Sequence, residues 1–171
     1  TPALGLGSVF ITDADLRSLY RTTSTQRLHA ISQALNQRVQ NAQDNTALET
    51  LRYESQGLKG DSLEAGQGAI AALADQFAAI ANRLPSPYTS LTESLQALLW
   101  EGVQLIEQLI QNAIAVDENN ALISSESHGE LLTSQAEKLL ESLSQNLESQ
   151  LQANLSQANL DESLQTTIEL I

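Results

Sequence analysis

The stretch Leu51-Arg-Tyr-Glu-Ser-Gln-Gly-Leu-Lys-Gly-Asp-Ser-Leu-Glu-Ala-Gly66 lies in the first half of a 171-residue chain. It predicts an amphipathic helix, because small and apolar residues recur at threes and fours along one side. That side carries Leu48, Leu51, Ser55, Leu58 and Ser62. Thr46 and Glu49 have the spacing of a capping box that opens the helix, and Gly66 with Gly68 predicts its end.

A first helix is predicted before this stretch, from Thr12 to about Gln43. Thr12 and Asp15 have the spacing of a capping box at its start, and Asn45 marks its end. Its predicted buried stripe consists of Leu16, Leu19, Leu28, Ile31, Leu35 and Val39.

Two apolar helices are predicted after the glycines. The third helix stops at Leu84-Pro-Ser-Pro87, and its buried stripe consists of Ile70, Leu73, Phe77, Ile80 and Leu84. The fourth helix opens with a capping box of Ser90 and Glu93 and continues to about Val116. It is the most apolar element, so we expect it to form the centre of the core.

A long C-terminal helix is predicted over about residues 127–158, opened by Ser127 and Glu130, with a short helix over about 161–170. No segment alternates as a strand does, which predicts an all-α fold. We expect an antiparallel up-and-down four-helix bundle over residues 12–117. We expect residues 1–11 to form an extended lead-in and residues 118–171 to form a C-terminal helical extension.

Composition excludes several classes of function. The formal charge is −13, from 21 Asp and Glu against 8 Lys and Arg, whereas nucleic acids and anionic membranes attract clustered cations. There is no cysteine, and His29 and His128 are too few for a zinc site. No apolar run approaches the length of a membrane span. We expect a cytoplasmic protein without membrane insertion, and the lack of any methionine predicts a fragment or a processed chain.

The second helix resembles the signature of the histidine phosphotransfer (HPt) family. In that family an apolar residue, a Lys-Gly pair and a second glycine follow the phosphorylated histidine at fixed offsets. Counted from Gln56, those offsets fall on Leu58, Lys59, Gly60 and Gly66. The resemblance covers about residues 12–117 and implies a four-helix bundle that presents this helix to receiver domains. It also implies that Lys59 lies beside the phosphorylated position and that Gly60 leaves a gap for the receiver.

The histidine itself is missing, because Gln56 occupies its position. A carboxamide is neither basic nor nucleophilic at neutral pH, so we expect no phosphorylated residue. His29 and His128 lack the Lys-Gly context, and Ser55 points about 100° away around the helix, as a packing residue. No nucleotide-binding, hydrolase or metalloprotease motif occurs. We expect no enzyme, no catalytic residue, no metal and no cofactor.

The sequence thus predicts a non-catalytic, degenerate HPt-like interaction domain with Gln56, Lys59 and Gly60 as its partner-binding residues. The resemblance extends to the scaffolds of twitching motility and to the front domains of pilus chemotaxis kinases. It implies a bacterial chemosensory or type IV pilus protein that binds a response-regulator receiver domain or a pilus-associated scaffold protein.

Other interpretations remain open at this stage. The chain can instead be a structural or dimerisation bundle of a larger multidomain protein, self-associating through the leucine stripe between Leu139 and Leu155. In that case Gln56 is a generic solvent-facing residue. An enzyme would have to use scattered carboxylates, namely Glu54, Asp117, Glu118, Glu126 and Glu130, and we expect these to form a solvated surface.

Overall fold

The computed structural model describes residues 11–41, 44–83, 91–114 and 126–170. These ranges are helical apart from short connecting residues and contain no strand, which confirms the predicted all-α class. The helices are α1 (Ala14–Gln40), α2 (Asn45–Glu64), α3 (Gly68–Arg83), α4 (Glu93–Ile114) and α5 (Glu126–Leu170). None of the described helices combines the length and apolar character needed to cross a membrane.

The helix starts differ from the predicted capping boxes. The carboxylate of Asp13 accepts a hydrogen bond from the Leu16 backbone N–H at 2.8 Å, so Asp13, not Thr12, caps α1. Asp44 caps α2 in the same way, and Asn45 is the first residue of that helix. In both places a charged carboxylate lies within two residues of the predicted threonine and is the better acceptor for free N–H groups.

The starts of the last two helices were predicted at Ser90 and Ser127. Thr92 caps α4, because its hydroxyl accepts a hydrogen bond from the Leu95 N–H at 3.2 Å. Ser90 and the side chain of Ser127 lie outside the described part of the chain.

Each helix packs against two or three others. Helix α1 contacts α2 and α4, and α2 contacts α1 and α3. Helix α5 lies against both α3 and α4, and its buried apolar residues belong to the same cluster as theirs. These residues are Leu132, Ala136, Leu139, Leu143 and Leu147. The first half of α5 is therefore part of the common core.

The predicted break between a long and a short C-terminal helix is absent. Helix α5 is continuous from Glu126 to Leu170. The break was predicted at Asn159 or Asp161, but these residues lower helix propensity only modestly, and no glycine or proline follows Gly129. Every side chain described between residues 162 and 169 is exposed, so the end of the helix extends beyond the core.

The buried side of α1 was predicted only in part. Leu28, Ile31 and Leu35 are buried as expected. Leu16, Leu19 and Val39 are exposed instead, and Tyr20, Ser24 and Arg38 take the inward positions. The actual stripe repeats mostly every fourth residue and includes polar side chains, so a search for leucines alone missed it.

Close approach between α3 and α4 depends on Gly102. A Cβ added at Gly102 would lie 2.8 Å from Cε1 and Cζ of the Phe77 ring, and both residues are buried. The missing side chain thus makes room for an aromatic ring at the centre of the core.

We predict that Gly102→Ala destabilises the protein by about 1 to 3 kcal/mol, because overpacking outweighs the gain in helix propensity. Urea unfolding followed by circular dichroism measures the change. Gly60→Ala is the matched control, since a Cβ at Gly60 meets nothing within 4 Å. It should stabilise the protein by up to about 1 kcal/mol. Equal stabilisation by both substitutions would contradict the close contact.

Candidate functional site

Helix α2 lies between α1 and α3 and turns one side to solvent. Its inward side consists of Ala47, Leu48, Leu51, Ser55, Leu58 and Ser62, which confirms the side predicted from the sequence. Ser55 is buried, as expected for a packing residue. On the outward side Gln56 and Gly60 are exposed one turn apart, and Lys59 is partly exposed. The three predicted binding residues thus lie on or beside one face.

Gly60 leaves the helix surface open. No atom lies within 4 Å of the Cβ that another residue would have at this position. The backbone of α2 is therefore accessible to an approaching group next to the Gln56 side chain. The cost of a mid-helix glycine, about 1 kcal/mol relative to alanine, is not offset by any close internal contact.

Lys59 does not stand beside Gln56. Its Nζ forms an ion pair with Asp75 Oδ1 of α3 at 2.9 Å. The side chain of Lys59 is 42% exposed and that of Asp75 is 59% exposed, so the pair contributes at most about 1 kcal/mol and little energy is needed to release it. The structure therefore brings Gln56 and Gly60 together, whereas the ammonium group points towards α3.

Gly66 has a structural role that does not involve a ligand. Its φ is +75°, in the left-handed region that glycine adopts without strain. The Gln67 N–H donates to the Ser62 carbonyl at 2.7 Å, and the Gly66 N–H donates to the Leu63 carbonyl at 3.2 Å. This is the Schellman pattern that ends helices. Termination of α2 accounts for this member of the predicted motif.

Arg27 of α1 forms ion pairs with one side of α2. Its guanidinium crosses over Gly57 and bonds to Asp61 Oδ2 through Nε at 2.7 Å and to Glu54 Oε2 through Nη1 at 3.3 Å. A Cβ at Gly57 would overlap the Arg27 guanidinium. The hydrogen bond to Asp61 is the main cause of a raised pKa for Arg27. The sequence analysis did not predict this contact. The pattern that could have indicated it is Gly57 between Glu54 and Asp61, two carboxylates seven residues apart on one side of the helix.

A buried hydrogen bond also joins the two helices. The Tyr20 and Ser62 hydroxyls lie 2.7 Å apart, and both residues are buried. Together with the Arg27 contacts it ties α1 to the C-terminal half of α2 and fixes the rotation of α2. That rotation determines which residues of α2 face outward.

Two apolar side chains were not anticipated on the outward face. Tyr53 is 68% exposed and Leu63 is 58% exposed. They lie in line with Gln56 and Gly60, because positions separated by three and four residues stack along a helix. We call Tyr53, Gln56, Gly60 and Leu63 the outer row of α2.

The histidines and carboxylates considered from the sequence are separated from this face or lie outside the described residues. No three His, Asp or Glu side chains among them are placed to hold a metal ion. His29 is exposed on α1, and Glu54 is paired with Arg27. Glu130 is exposed. Asp117, Glu118 and the side chains of Glu126 and His128 lie outside the described part of the chain.

Comparison with known proteins gives no relative: no family model, curated protein or solved structure matches the chain. The HPt resemblance therefore stays a prediction based on the residues of α2 and the order of the helices.

The buried tyrosine gives a prediction on pH dependence. Burial raises the pKa of Tyr20 to about 12, whereas tyrosine in an unfolded chain ionises near pH 10. The neutral phenol therefore stabilises the fold fully below about pH 10, and this stabilisation is lost as the pH rises towards 12. We expect the free energy of unfolding to fall by about 1 kcal/mol by about pH 11 through this group.

Urea unfolding at a series of pH values, compared between the natural chain and Tyr20→Phe, measures this loss. The variant lacks the hydroxyl that titrates, so its stability should depend less steeply on pH above 10. Parallel curves for the two proteins would show that Tyr20 is not the group responsible.

Proposed function

We propose that this chain is a non-catalytic, degenerate HPt-like interaction domain that binds a protein partner through the outward face of α2. The observation that carries the proposal is the position of Gln56 and Gly60, which are exposed one turn apart with no atom covering Gly60. A partner loop can reach the helix backbone there and meet the side chain of Gln56 at the same time.

The chemistry of Gln56 fits recognition without phosphate transfer. Its carboxamide offers both a donor and an acceptor for hydrogen bonds and carries no charge. It is not a nucleophile, so a partner that docks there leaves without exchanging a phosphoryl group. Lys59 would keep its bond to Asp75 or turn towards the partner, since an exposed ion pair is weak.

The helix order supports the HPt-like part of the proposal. On this view α1 to α4 correspond to the four helices of the bundle, with α5 packed on α3 and α4 as an addition. The proposed setting is a bacterial chemosensory or type IV pilus signalling protein. The proposed partner is a receiver-type response regulator or a pilus-associated scaffold protein, held by a small and reversible interface.

A second candidate is a structural or dimerisation bundle within a larger protein. The stripe between Leu139 and Leu155 was predicted to mediate self-association, but Leu139, Leu143 and Leu147 are buried in the core of the chain itself. The exposed end of α5 is what favours this candidate. Leu164 is 54% exposed and Ile168 is 65% exposed. They lie four residues apart on the same side of a helix that extends beyond the core. Light scattering of the whole chain beside the double variant Leu164→Glu, Ile168→Glu tests this alternative, with loss of a dimer supporting it, because these substitutions leave the buried half of α5 intact.

For the main proposal we expect Gly60→Glu to abolish binding to the cognate receiver domain in titration calorimetry, because the new side chain fills the gap over the backbone and adds a charge. Receiver domains encoded by the same genome are the probes. Gln104→Glu is the matched control, since it adds the same charge at an exposed position of α4 and should leave binding unchanged. Unchanged binding of Gly60→Glu would place the contact elsewhere, and no binding to any receiver would favour the structural alternative.

Restoring the histidine tests how complete the surroundings of residue 56 are. We expect Gln56→His to accept a phosphoryl group from a cognate histidine kinase and its receiver, because position 56 is exposed and an imidazole is nucleophilic. Radiolabelled phosphate retained by the variant, and absent from the natural chain, is the readout. A variant that stays unlabelled would contradict the HPt-like interpretation of this face.

A further inference from the structure

Helix α5 leaves the core at the end of the bundle where α4 begins. Its contacts with α4 show its direction. Gln150 contacts Thr92 at the start of α4, whereas Leu139 lies beside Gly102, with its Cδ2 3.6 Å from the Cβ that another residue would have there. Residue numbers rise along α4 as they fall along α5, so the two helices are antiparallel. The C-terminal part of α5 therefore projects past the first residues of α4.

One turn of α5, residues 147–151, contacts both neighbouring helices at this point, and we call it the exit turn. Arg83 is the last residue of α3, and its Nη1 forms an ion pair with Glu148 Oε1 at 2.9 Å. The backbone N–H of Thr92 donates a hydrogen bond to Gln150 Oε1 at 3.3 Å. The end of α3 and the start of α4 are thus both bonded to the same turn of α5.

The contact of Gln150 is the more specific of the two. The side chains of Arg83 and Glu148 are 50% and 57% exposed, so their ion pair is weak. Gln150 is only 3% exposed, so its carboxamide depends on partners inside the protein. The N–H of a residue at the start of a helix has no partner within that helix, and Gln150 accepts the one of Thr92. Helix α5 thereby completes the hydrogen bonding at the start of α4.

Beyond the exit turn α5 continues as one helix to Leu170. We call residues 152–170 the arm. The arm contains no glycine or proline. Side-chain hydrogen bonds connect its turns, from Thr166 Oγ1 to the Glu162 carbonyl at 3.0 Å and from Gln165 Nε2 to Glu169 Oε1 at 3.4 Å. Starting an isolated helix is costly, whereas extending a helix that already exists is not. The packed half of α5 supplies that start for the arm.

We propose that the arm is a rigid projection whose direction is set by the exit turn. At about 1.5 Å per residue it extends about 28 Å from the core. Its exposed apolar residues, Leu164 and Ile168, are then held at a fixed distance from the bundle. Movements of the arm and of the start of α4 are coupled, because the hydrogen bond between Thr92 and Gln150 joins them. This inference does not rest on the proposed function of α2.

Distances between pairs of spin labels measure the rigidity of the arm. The chain has no cysteine, so labels attach only to cysteines that are introduced. The arm pair is Glu101→Cys on α4 with Glu162→Cys. The reference pair is Glu101→Cys with Glu137→Cys on the packed half of α5, and all three residues are exposed. Labelled protein is diluted with unlabelled chain, so that contacts between copies do not contribute. We expect pulsed electron paramagnetic resonance to give distance distributions of similar, narrow width for both pairs.

Two variants test the role of the exit turn. Gln150→Met keeps a similar side-chain length but lacks the carboxamide oxygen that accepts the Thr92 N–H. It should widen the distribution of the arm pair and leave that of the reference pair unchanged. Glu148→Arg replaces the attraction to Arg83 by repulsion and should widen the arm pair to a smaller extent. Gln145→Met is the matched control, because Gln145 is exposed on the same helix, and it should change neither pair.

Circular dichroism confirms that each variant is folded. A wide distribution for the arm pair, without any further substitution, overturns the rigid arm. An arm pair that stays narrow in both exit-turn variants shows that this turn does not set its direction. Equal widening of the arm and reference pairs also contradicts the proposal, because it indicates a general loosening of the core. Receiver binding is measured separately by calorimetry, so failure of either proposal is recognised independently of the other.

Discussion

The burial of Leu58 between α1 and α3 is the constraint on which the outward face depends. Leu58 and the residues in line with it bury one side of α2. Only the opposite side of the helix is then exposed to solvent. Gln56 and Gly60 face outward for that reason. The Arg27 contacts and the Tyr20–Ser62 hydrogen bond then hold α2 at this rotation. A modest rotation of α2 would bring the Gly57 flank, with its crossing guanidinium, to the position of the gap.

Ion pairs contribute little to the stability of this acidic chain, but they join specific helices. Of its eight Lys and Arg residues, Arg27, Lys59 and Arg83 join one helix to another. These pairs are partly or largely exposed, and such pairs contribute about 0 to 1 kcal/mol each. The stability of the fold therefore comes from the apolar core, to which all five helices contribute. The ion pairs mainly set the orientation of neighbouring helices.

The two glycines of the HPt-like motif differ in what explains them. Gly66 is accounted for by its positive φ and by the Schellman hydrogen bonds that end α2. Neither a positive φ nor a close contact explains the glycine at position 60, because it lies inside the helix and no atom lies within 4 Å of the Cβ that another residue would have there. A glycine inside a helix lowers its stability, and the proposed docking of a partner at this face would account for one at position 60. Gly60 is therefore the more informative of the two residues for function.

Sequence patterns alone specify the all-α class, the approximate positions of the helices and the inward side of α2, because these depend on local periodicity and on the places where glycine and proline occur. It also determined that position 56 carries a group without nucleophilic chemistry. Tertiary packing, and not the spacing of leucines, determines that Tyr20 and Ser24 face inward on α1 in place of Leu16 and Leu19. The same holds for Arg27 crossing Gly57 and for Lys59 turning towards Asp75. These features depend on which helices lie side by side, and contacts between residues distant in sequence leave no periodic signal along the chain.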